Sequence, residues 1–189
     1  MSLIEIRQLT VHTRLGLWRM DEPFEGNPRE RERDAVHRLL WTMTGNESLR
    51  INHLPSGKPI INGWHISISH TRGFAAVILS ENQEVAVDIE YQSDRVERIA
   101  KKFIREDELT ENLEEMLLLW SAKETLYKLH SDDHLQYFDM RLCCIKKGES
   151  TDDNHNLAEG MMQIENMKKK IVVDICFETT PDYVLTYAF

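Results

Sequence analysis

Hydrophobic and polar positions alternate with two different periods along this chain. Apolar residues recur at spacings of three and four over residues 29–44 and 114–130, which predicts two long amphipathic helices. A shorter stretch with the same spacing predicts a helix over residues 94–104. Period-two alternation and short apolar runs predict strands at residues 3–11, 64–80 (a hairpin), 84–90, 137–146, 171–177 and 183–189. Runs of adjacent strands imply antiparallel pairing, so the pattern predicts an α+β fold.

Turn-forming residues separate these elements. Residues 23–28 contain two prolines and a glycine and indicate a loop before the first long helix, and Gly45 is a typical stop after it. Residues 55–63 are rich in turn formers, and the polar segment 148–159 is also expected to be a loop.

Composition is that of an ordinary globular protein of 189 residues, with 41% hydrophobic and 29% charged residues. The formal net charge of −9 argues against a general nucleic-acid binder. The chain lacks an apolar run near the roughly 20 residues that span a bilayer. Its first residues lack the basic and apolar regions of a signal peptide. We therefore expect a cytoplasmic protein without a nucleic-acid or membrane partner.

The three cysteines do not form a metal-binding motif. Cys143, Cys144 and Cys176 lack the CxxC spacing of zinc sites. Free cysteine is among the residue types most often buried, so we expect buried thiols.

Two carboxylates lie two residues apart in the predicted strand 84–90. Asp88 and Glu90 therefore project from the same face of that strand. At about 4 Å, two like charges cost on the order of 4 kcal/mol at an effective dielectric near 20, and a divalent cation removes that cost. Mg²⁺ fits best because it takes hard oxygen ligands, retains waters and bridges phosphates. The alternative is two solvent-facing acids on an edge strand.

A third carboxylate and an ammonium group lie on the predicted helix 114–130. Glu124 and Lys128 are four residues apart, and Trp120 is one turn earlier on the same face. Because tryptophan is normally buried, we expect Glu124 and Lys128 at the rim of the core, where they could complete a metal and phosphate site. The alternative is a surface ion pair worth about 0.3–0.5 kcal/mol.

Further candidates are basic. His70 ends the first strand of the hairpin, where it could face a binding site or be a hydrogen-bonded structural residue. Lys58 is held in a loop between glycine and proline and could bind phosphate as a point charge. Two basic segments have solvated helix faces as their default interpretation: Arg29, Arg31, Arg33 and Arg38, and then Arg95, Arg98, Lys101, Lys102 and Arg105.

Four motifs follow one another in a fixed order: GKP from Gly57, SISH-T-x-G-F-A-A-V from Ser67, V-D-I-E from Val87 and W-S-A-K-E-x-x-Y-K from Trp120. The ordered set resembles the 4′-phosphopantetheinyl transferase superfamily and is most similar to its monomeric surfactin-synthetase-type branch. The resemblance runs from about Gly57 to Lys128. In two places the chain departs from the family pattern: Ala86 stands where glycine is common, and His37 and Arg38 compete for the position of a basic helix residue.

The resemblance implies a reaction and a fold. Family members move 4′-phosphopantetheine from coenzyme A to a serine of a carrier protein, require Mg²⁺ and release adenosine 3′,5′-bisphosphate. The implied fold is a pseudo-twofold pair of α+β lobes, each a long helix packed on a small, mainly antiparallel sheet. The lobes would be residues 1–90 and 91–189, with the active site in the cleft between them. The two-lobe branch also implies a monomer.

The resemblance also assigns roles to the acidic residues. Asp88, Glu90 and Glu124 would hold Mg²⁺ against the pyrophosphate of coenzyme A, and Lys128 would contact that pyrophosphate. Glu124, or a metal-bound water beside it, would take the serine proton. Asp88, Glu124 and Lys128 would thus be the catalytic residues.

The basic candidates gain roles in the same way. Ser69 and His70 would hold the 3′-phosphate of coenzyme A, and Lys58 would bind phosphate near the adenosine. The acyl or peptidyl carrier proteins that family members modify are typically acidic around their serine, so the basic segment 95–105 could contact the carrier protein. Arg31 and Arg38 could reach phosphates of coenzyme A.

Two alternative functions are compatible with the same residues. A different metal-dependent phosphodiester enzyme would hydrolyse its substrate without coenzyme A. A non-catalytic homologue would bind coenzyme A or a carrier protein without turnover.

Overall fold

The protein is an α+β structure in a computed structural model that describes residues 2–20, 27–148 and 158–189. The α+β class agrees with the sequence prediction. Strands run antiparallel in the three pairs of the four-stranded sheet and in three pairs of the five-stranded sheet. The chain divides into two compact units, Met1–Ile89 with Phe189, and Glu90–Ala188. Within the described ranges, no helix is both long and apolar enough to cross a membrane.

The first unit packs one helix on a four-stranded sheet. Its elements are β1 (Ser2–Gln8), β2 (Thr13–Arg19), α1 (Pro28–Thr44), β3 (Asn52–His53), β4 (Pro59–Ile60), β5 (His65–Thr71) and β6 (Phe74–Ser80). The sheet has the order β1-β2-β6-β5, while β3 and β4 form a separate pair. The predicted hairpin is confirmed as β5 and β6. Strand β2 was not predicted.

Helix α1 has a well-defined start and stop. The Asn27 side chain accepts a hydrogen bond from the Glu30 amide, and the Glu30 carboxylate accepts one from the Asn27 amide. At the other end Gly45 takes the left-handed conformation, with φ 66°, and its amide bonds to the Trp41 carbonyl. The helix and its glycine stop thus agree with the sequence prediction.

The packing of α1 on the sheet is closest at Gly16 in β2. A β-carbon at this position would lie 2.7 Å from Met43 Sδ and 2.8 Å from Leu39 Cδ1. Both residues belong to the buried face of α1. Glycine is therefore needed here for space, and it allows the helix to lie close against the strand.

The second unit packs one long helix on a larger sheet. Its elements are the end of β7 (Ala86–Tyr91), α2 (Ala100–Phe103), α3 (Leu113–Leu129), β8 (Met140–Lys147), β9 (Ala158–Asn166), β10 (Ile171–Thr179) and β11 (Tyr183–Ala188). The strand order is β7-β11-β10-β9-β8. Strand β8 forms one edge, and its register shifts between Leu142 and Cys144. The predicted long helix is confirmed, and β9 was not predicted.

The segment after β7 departs from the expected helix over 94–104. A 3₁₀ helix covers Asp94–Ile99, and α2 then ends at Phe103. Arg105 therefore lies beyond the helix, and the basic residues of this segment do not share a single helical face. The 3₁₀ turn changes the angular spacing of side chains, which the sequence period did not reveal.

The expectation of buried thiols is wrong for Cys143. All three cysteines are free, Cys143 is exposed, and Cys144 and Cys176 are half-buried. The irregularity in β8 lies at this position, and an edge strand has solvent on one side. Of the predicted loops, residues 21–26 and 149–157 lie outside the described residues, and β9 begins at Ala158, inside the predicted loop 148–159.

Candidate active site

Asp88 is a buried carboxylate held by a neighbouring strand. Only 4% of its surface is exposed, and Ser69 Oγ donates a hydrogen bond of 2.9 Å to Asp88 Oδ1. Two residues earlier in β5, Ser67 Oγ accepts a hydrogen bond of 3.2 Å from the Val87 amide. Two buried serines of β5 thus position β7, and one of them orients the Asp88 carboxylate.

A cavity of about 550 Å³ lies in the first unit. One face of α1 supplies much of its wall, since the lining helix residues recur at spacings of three and four: Arg29, Glu32, Arg33, Val36 and His37. The remaining lining residues come from the β3 region and from β5: Ile51, His53, Ile68 and His70. Among the described residues, the wall therefore combines two guanidinium groups, three imidazoles and apolar side chains with one carboxylate.

The cavity separates the two basic candidates of α1. His37 lines it, and its Nδ1 donates a hydrogen bond of 2.9 Å to the Arg33 carbonyl. Arg38 instead forms an exposed ion pair with Asp34, at 2.7 Å from Nε to Oδ2. Of His37 and Arg38, it is His37 that faces the same cavity as His70.

Three predicted phosphate ligands have different surroundings. His70 lines the cavity, and its Nδ1 lies 3.5 Å from Glu32 Oε2. Ser69, its neighbour on the opposite face of β5, bonds to Asp88. Lys58 lies outside the cavity lining and donates to Glu84 Oε2 at 2.8 Å. The structure thus brings Ser69 together with Asp88, and it places His70 and Lys58 in separate environments.

Glu84 joins Lys58 to a second basic side chain. Its other oxygen lies 2.9 Å from Nδ1 of His65. Partial burial raises the pKa of Glu84, but the hydrogen bonds from Lys58 and His65 outweigh it, and the net pKa is below its ordinary value.

In the second unit, Glu90 and Glu124 each accept a hydrogen bond from an aromatic side chain. Trp120 Nε1 donates to Glu90 Oε1 at 3.0 Å, and Tyr137 Oη donates to Glu124 Oε1 at 2.6 Å. The Trp120 and Tyr137 rings lie against each other, with centroids 5.0 Å apart and planes tilted by 31°. Glu90, at the end of β7, and Glu124, on α3, are therefore connected through two stacked rings. Sequence reasoning did not include Tyr137.

Lys123 is a buried residue that the sequence prediction also missed. Its side chain is fully buried, and Nζ donates to Glu108 Oε2 and to the Phe103 carbonyl, each at 2.7 Å. Glu108 also accepts hydrogen bonds from the amides of Arg105, at 2.9 Å, and Leu142, at 2.7 Å. Burial lowers the pKa of Lys123, and the contact with Glu108 opposes that shift.

A sequence signal for the burial of Lys123 did exist. It lies four residues after Leu119 and three before Leu126, both of which are buried. It therefore belongs to the apolar stripe of α3, whereas its neighbour Glu124 is half-buried. Lys128 is also half-buried, one turn after Glu124.

The chemistry of Asp88, Glu90 and Glu124 suits a hard divalent cation. Carboxylate oxygens are the ligands that Mg²⁺ prefers, and Mg²⁺ commonly uses one or two carboxylates together with waters and substrate phosphates. In the part of the chain that the structure describes, no group of three or more acidic, histidine or cysteine residues surrounds a common metal position. A site completed by phosphate oxygens does not require such a group.

Comparison with known proteins identifies the family. The sequence model of the 4′-phosphopantetheinyl transferase superfamily matches residues 84–188. The match contains Asp88, Glu90, Glu124 and Lys128. No curated protein sequence matches the chain. Because the matched region covers more than half of the 189 residues, the chain belongs to the 4′-phosphopantetheinyl transferase superfamily.

Proposed function

We propose that this protein transfers 4′-phosphopantetheine from coenzyme A to a serine of an acyl or peptidyl carrier protein, with Mg²⁺ as cofactor. The observation that carries the proposal is the pair of carboxylates on β7, Asp88 and Glu90, inside the region that matches the superfamily. Membership of the superfamily supports a transferase of phosphopantetheine. The order of the motifs between Gly57 and Lys128 supports the surfactin-synthetase-type, monomeric branch with two related lobes.

The proposed ligands of Mg²⁺ are Asp88, Glu90 and Glu124. All three provide hard oxygen donors, and the first two project from one face of β7. When bound, Mg²⁺ would neutralise charge on the pyrophosphate of coenzyme A. Lys128, one helical turn after Glu124, would add a positive charge to the same pyrophosphate.

The cavity of the first unit supports binding of the 3′-phosphate end of coenzyme A. Arg29, Arg33 and His70 line it, and guanidinium and imidazolium groups are strong donors to phosphate oxygens. The apolar lining residue Ile51 suits contact with a planar base. Ser69 and Lys58 remain proposed phosphate contacts, and each would exchange a carboxylate partner for the ligand.

The reaction consists of one displacement at phosphorus. The carrier serine oxygen forms a bond to the phosphorus attached to pantetheine, and the bond from that phosphorus to the bridging oxygen breaks. Adenosine 3′,5′-bisphosphate leaves with the bridging oxygen, and the serine proton passes to Glu124 or to a water beside it. Such transfers depend mainly on positioning and charge stabilisation, and a general base adds roughly 10²–10⁴-fold.

Exposed basic residues after β7 support an acidic carrier protein as the partner. Arg98, Lys101 and Lys102 are exposed. Lys101 also lines a depression of about 720 Å³ together with Phe138, which is 49% exposed. Arg105, by contrast, bonds to the Phe138 carbonyl and contributes to the structure of this surface. The depression is also lined by Glu106 and Asp107, so it is the exposed cations Arg98, Lys101 and Lys102 that suit a partner with carboxylates.

The test is a transfer assay with intact-mass detection. The full chain is incubated with coenzyme A, Mg²⁺ and apo carrier proteins of the fatty-acid and peptide types. A gain of one phosphopantetheine on the carrier is expected, and no gain on any carrier would overturn the proposal. Matched reactions use a carrier with its serine replaced by alanine, and chelator in place of Mg²⁺. Hydrolysis of coenzyme A without carrier modification would instead indicate a phosphodiester enzyme, and binding without turnover a non-catalytic homologue.

A further inference from the structure

Three aromatic rings pack against one another in a row beside the carboxylates of Glu90 and Glu124. Trp120 lies between Phe103, with ring centroids 5.2 Å apart and an edge-on angle of 73°, and Tyr137, with centroids 5.0 Å apart. The two rings with polar groups, those of Trp120 and Tyr137, donate hydrogen bonds to Glu90 and Glu124, respectively. We call Trp120 and Tyr137 the aromatic clamp.

The backbone around Tyr137 is fixed by its own hydrogen bonds. Tyr137 begins a short 3₁₀ turn, and the Asp139 carboxylate accepts a bond of 2.7 Å from the Gln136 amide. The Asp139 carbonyl accepts from the Met167 amide at 2.9 Å, and Lys168 Nζ lies 3.1 Å from the Asp139 carboxylate. The phenol oxygen that reaches Glu124 is therefore held on a constrained segment.

The other end of the clamp is held by the buried lysine. Lys123 Nζ donates to the carbonyl of Phe103, whose ring packs against Trp120. Phe103 is completely buried. A polar contact in the core thus restrains the backbone of Phe103, whose ring supports the Trp120 indole.

We propose that Trp120 and Tyr137 are positioning residues that orient the Glu90 and Glu124 carboxylates for a divalent cation. The inference rests on the proposed function, since it takes both glutamates as Mg²⁺ ligands. Each aromatic donor contacts Oε1 of its glutamate, so the same contact sets the direction of the second oxygen. Neither aromatic side chain is itself a metal ligand.

Mg²⁺ and Ca²⁺ differ in the coordination geometry that they require. Mg²⁺ requires a near-ideal octahedron with ligands at about 2.0–2.1 Å, whereas Ca²⁺ accepts six to eight ligands in flexible arrangements. Partners that orient a metal ligand typically contribute roughly 10–100-fold in metal affinity or activity. Loss of an aromatic donor should therefore weaken Mg²⁺ binding more than Ca²⁺ binding. A residue that only supported the fold would leave the ratio of the two affinities unchanged.

The test uses Tyr137→Phe and Trp120→Phe, which keep an aromatic ring and remove the donor. Mg²⁺ and Ca²⁺ are titrated calorimetrically into the full chain with coenzyme A in fixed excess. We expect about tenfold weaker Mg²⁺ binding in each variant and a smaller change for Ca²⁺. In the transfer assay, the Mg²⁺ concentration that gives half the maximal rate should rise in parallel.

Two control variants lose comparable groups elsewhere. Tyr127→Phe removes the hydroxyl of a tyrosine on α3 that is 45% exposed. Trp41→Phe removes an indole donor that bonds to the Leu49 carbonyl in the first unit. Both should bind Mg²⁺ and Ca²⁺ as the unaltered protein does.

The titrations distinguish a failure of the Mg²⁺ assignment from a failure of the aromatic clamp alone. If the unaltered chain binds no Mg²⁺, the metal assignment fails and the clamp with it. If the unaltered chain binds Mg²⁺ and the Tyr137→Phe and Trp120→Phe variants keep its Mg²⁺-to-Ca²⁺ affinity ratio, whether both affinities are unchanged or both fall equally, the clamp alone is overturned. Thermal unfolding identifies a variant that does not fold, and the other variant then decides the result.

Discussion

The two units of this protein differ in the polar side chains that their long helices present. Each packs a helix of 17 residues on antiparallel strands. In the first unit, α1 presents Arg29, Arg33 and His37 to a cavity. In the second, α3 presents Glu124, bonded to Tyr137. The polar side chains on the two helices therefore differ in charge, whereas the buried Asp88 of the first unit lies on a strand.

A second contrast lies within α3, between adjacent residues. Lys123 supplies a positive charge to Glu108 inside the core, so this ion pair is complete within the protein. The carboxylate of Glu124 is half-buried and accepts from a neutral phenol. Adjacent residues of α3 thus form an ion pair in the core and a hydrogen bond with an aromatic side chain.

The largest expected effect is a loss of stability when the buried ammonium group of Lys123 is removed. Lys123→Met leaves the Glu108 carboxylate buried without its ammonium partner, which typically costs about 3–5 kcal/mol. Arg38→Met in the first unit breaks an exposed i,i+4 pair and should cost at most about 0.5 kcal/mol. Urea unfolding at neutral pH measures both. Equal losses would show that the two pairs do not differ as burial requires.

The acidic pair on β7 should be the most sensitive point for activity. Asp88→Asn keeps the shape of the side chain and a partner for Ser69 but removes the charge. Transfer to the carrier should fall by about 10²–10³-fold, as when one charge-stabilising group is lost. Asp174→Asn, on the exposed surface of β10, is the matched control and should be fully active. Retained activity in Asp88→Asn would contradict the metal assignment.

The cavity of the first unit should bind the anionic end of the substrate. Arg33→Gln removes one guanidinium from its wall, and a hydrogen bond to a charged group contributes about 1.5 kcal/mol or more. The dissociation constant for adenosine 3′,5′-bisphosphate, measured by calorimetry, should rise about tenfold. Arg38→Gln, on another face of the same helix, should leave it unchanged. If both variants bind equally well, the cavity is not the nucleotide site.

The smallest expected effect is a pH dependence of stability that comes from His130, at the end of α3. Burial lowers the pKa of His130, an effect that Asp133 opposes. As the pH falls, His130 therefore takes up a proton at a higher pH in the unfolded chain than in the folded chain. Stability should therefore be fully present above the unfolded pKa of about 6.5 and decrease as the pH falls below it. Thermal midpoints between pH 7.5 and 5.5 measure this decrease, which His130→Gln should reduce.

His134→Asn is the control for that measurement. His134 is exposed and in the left-handed conformation, with φ 48°, which asparagine tolerates. It should keep the pH dependence of the unaltered protein. A decrease of the same size in His130→Gln as in the unaltered protein would assign the dependence to other groups.

The regular elements were predictable because their patterns are local. Helices α1 and α3, the hairpin and β7 follow from residue spacing and turn formers. Strand β2 was missed because Gly16 interrupts an apolar run, and its role is to admit Met43 and Leu39. Strand β9 begins inside a polar segment whose composition predicts a loop. In both cases tertiary packing decides what the local pattern leaves ambiguous.

The candidate site was predictable only in part. The motifs pointed to Asp88, Glu90 and Glu124 as a group, but not to what holds them. Trp120 was placed on the face of Glu124 by helical spacing, whereas its indole bonds to Glu90, 30 residues away in sequence. Tyr137 reaches Glu124 from outside α3. Hydrogen bonds between distant segments depend on the folded backbone and leave no periodic signal.

The edge of the second sheet has a consequence for the behaviour of the protein in concentrated solution. An open strand edge can template pairing between molecules, which leads to precipitation or fibrils. Among the described strands, none pairs with the outer side of β8. This strand is irregular near Cys143 and ends in the exposed Lys146 and Lys147. Both features hinder stacking of one molecule on the next, and they protect colloidal stability without contributing to catalysis.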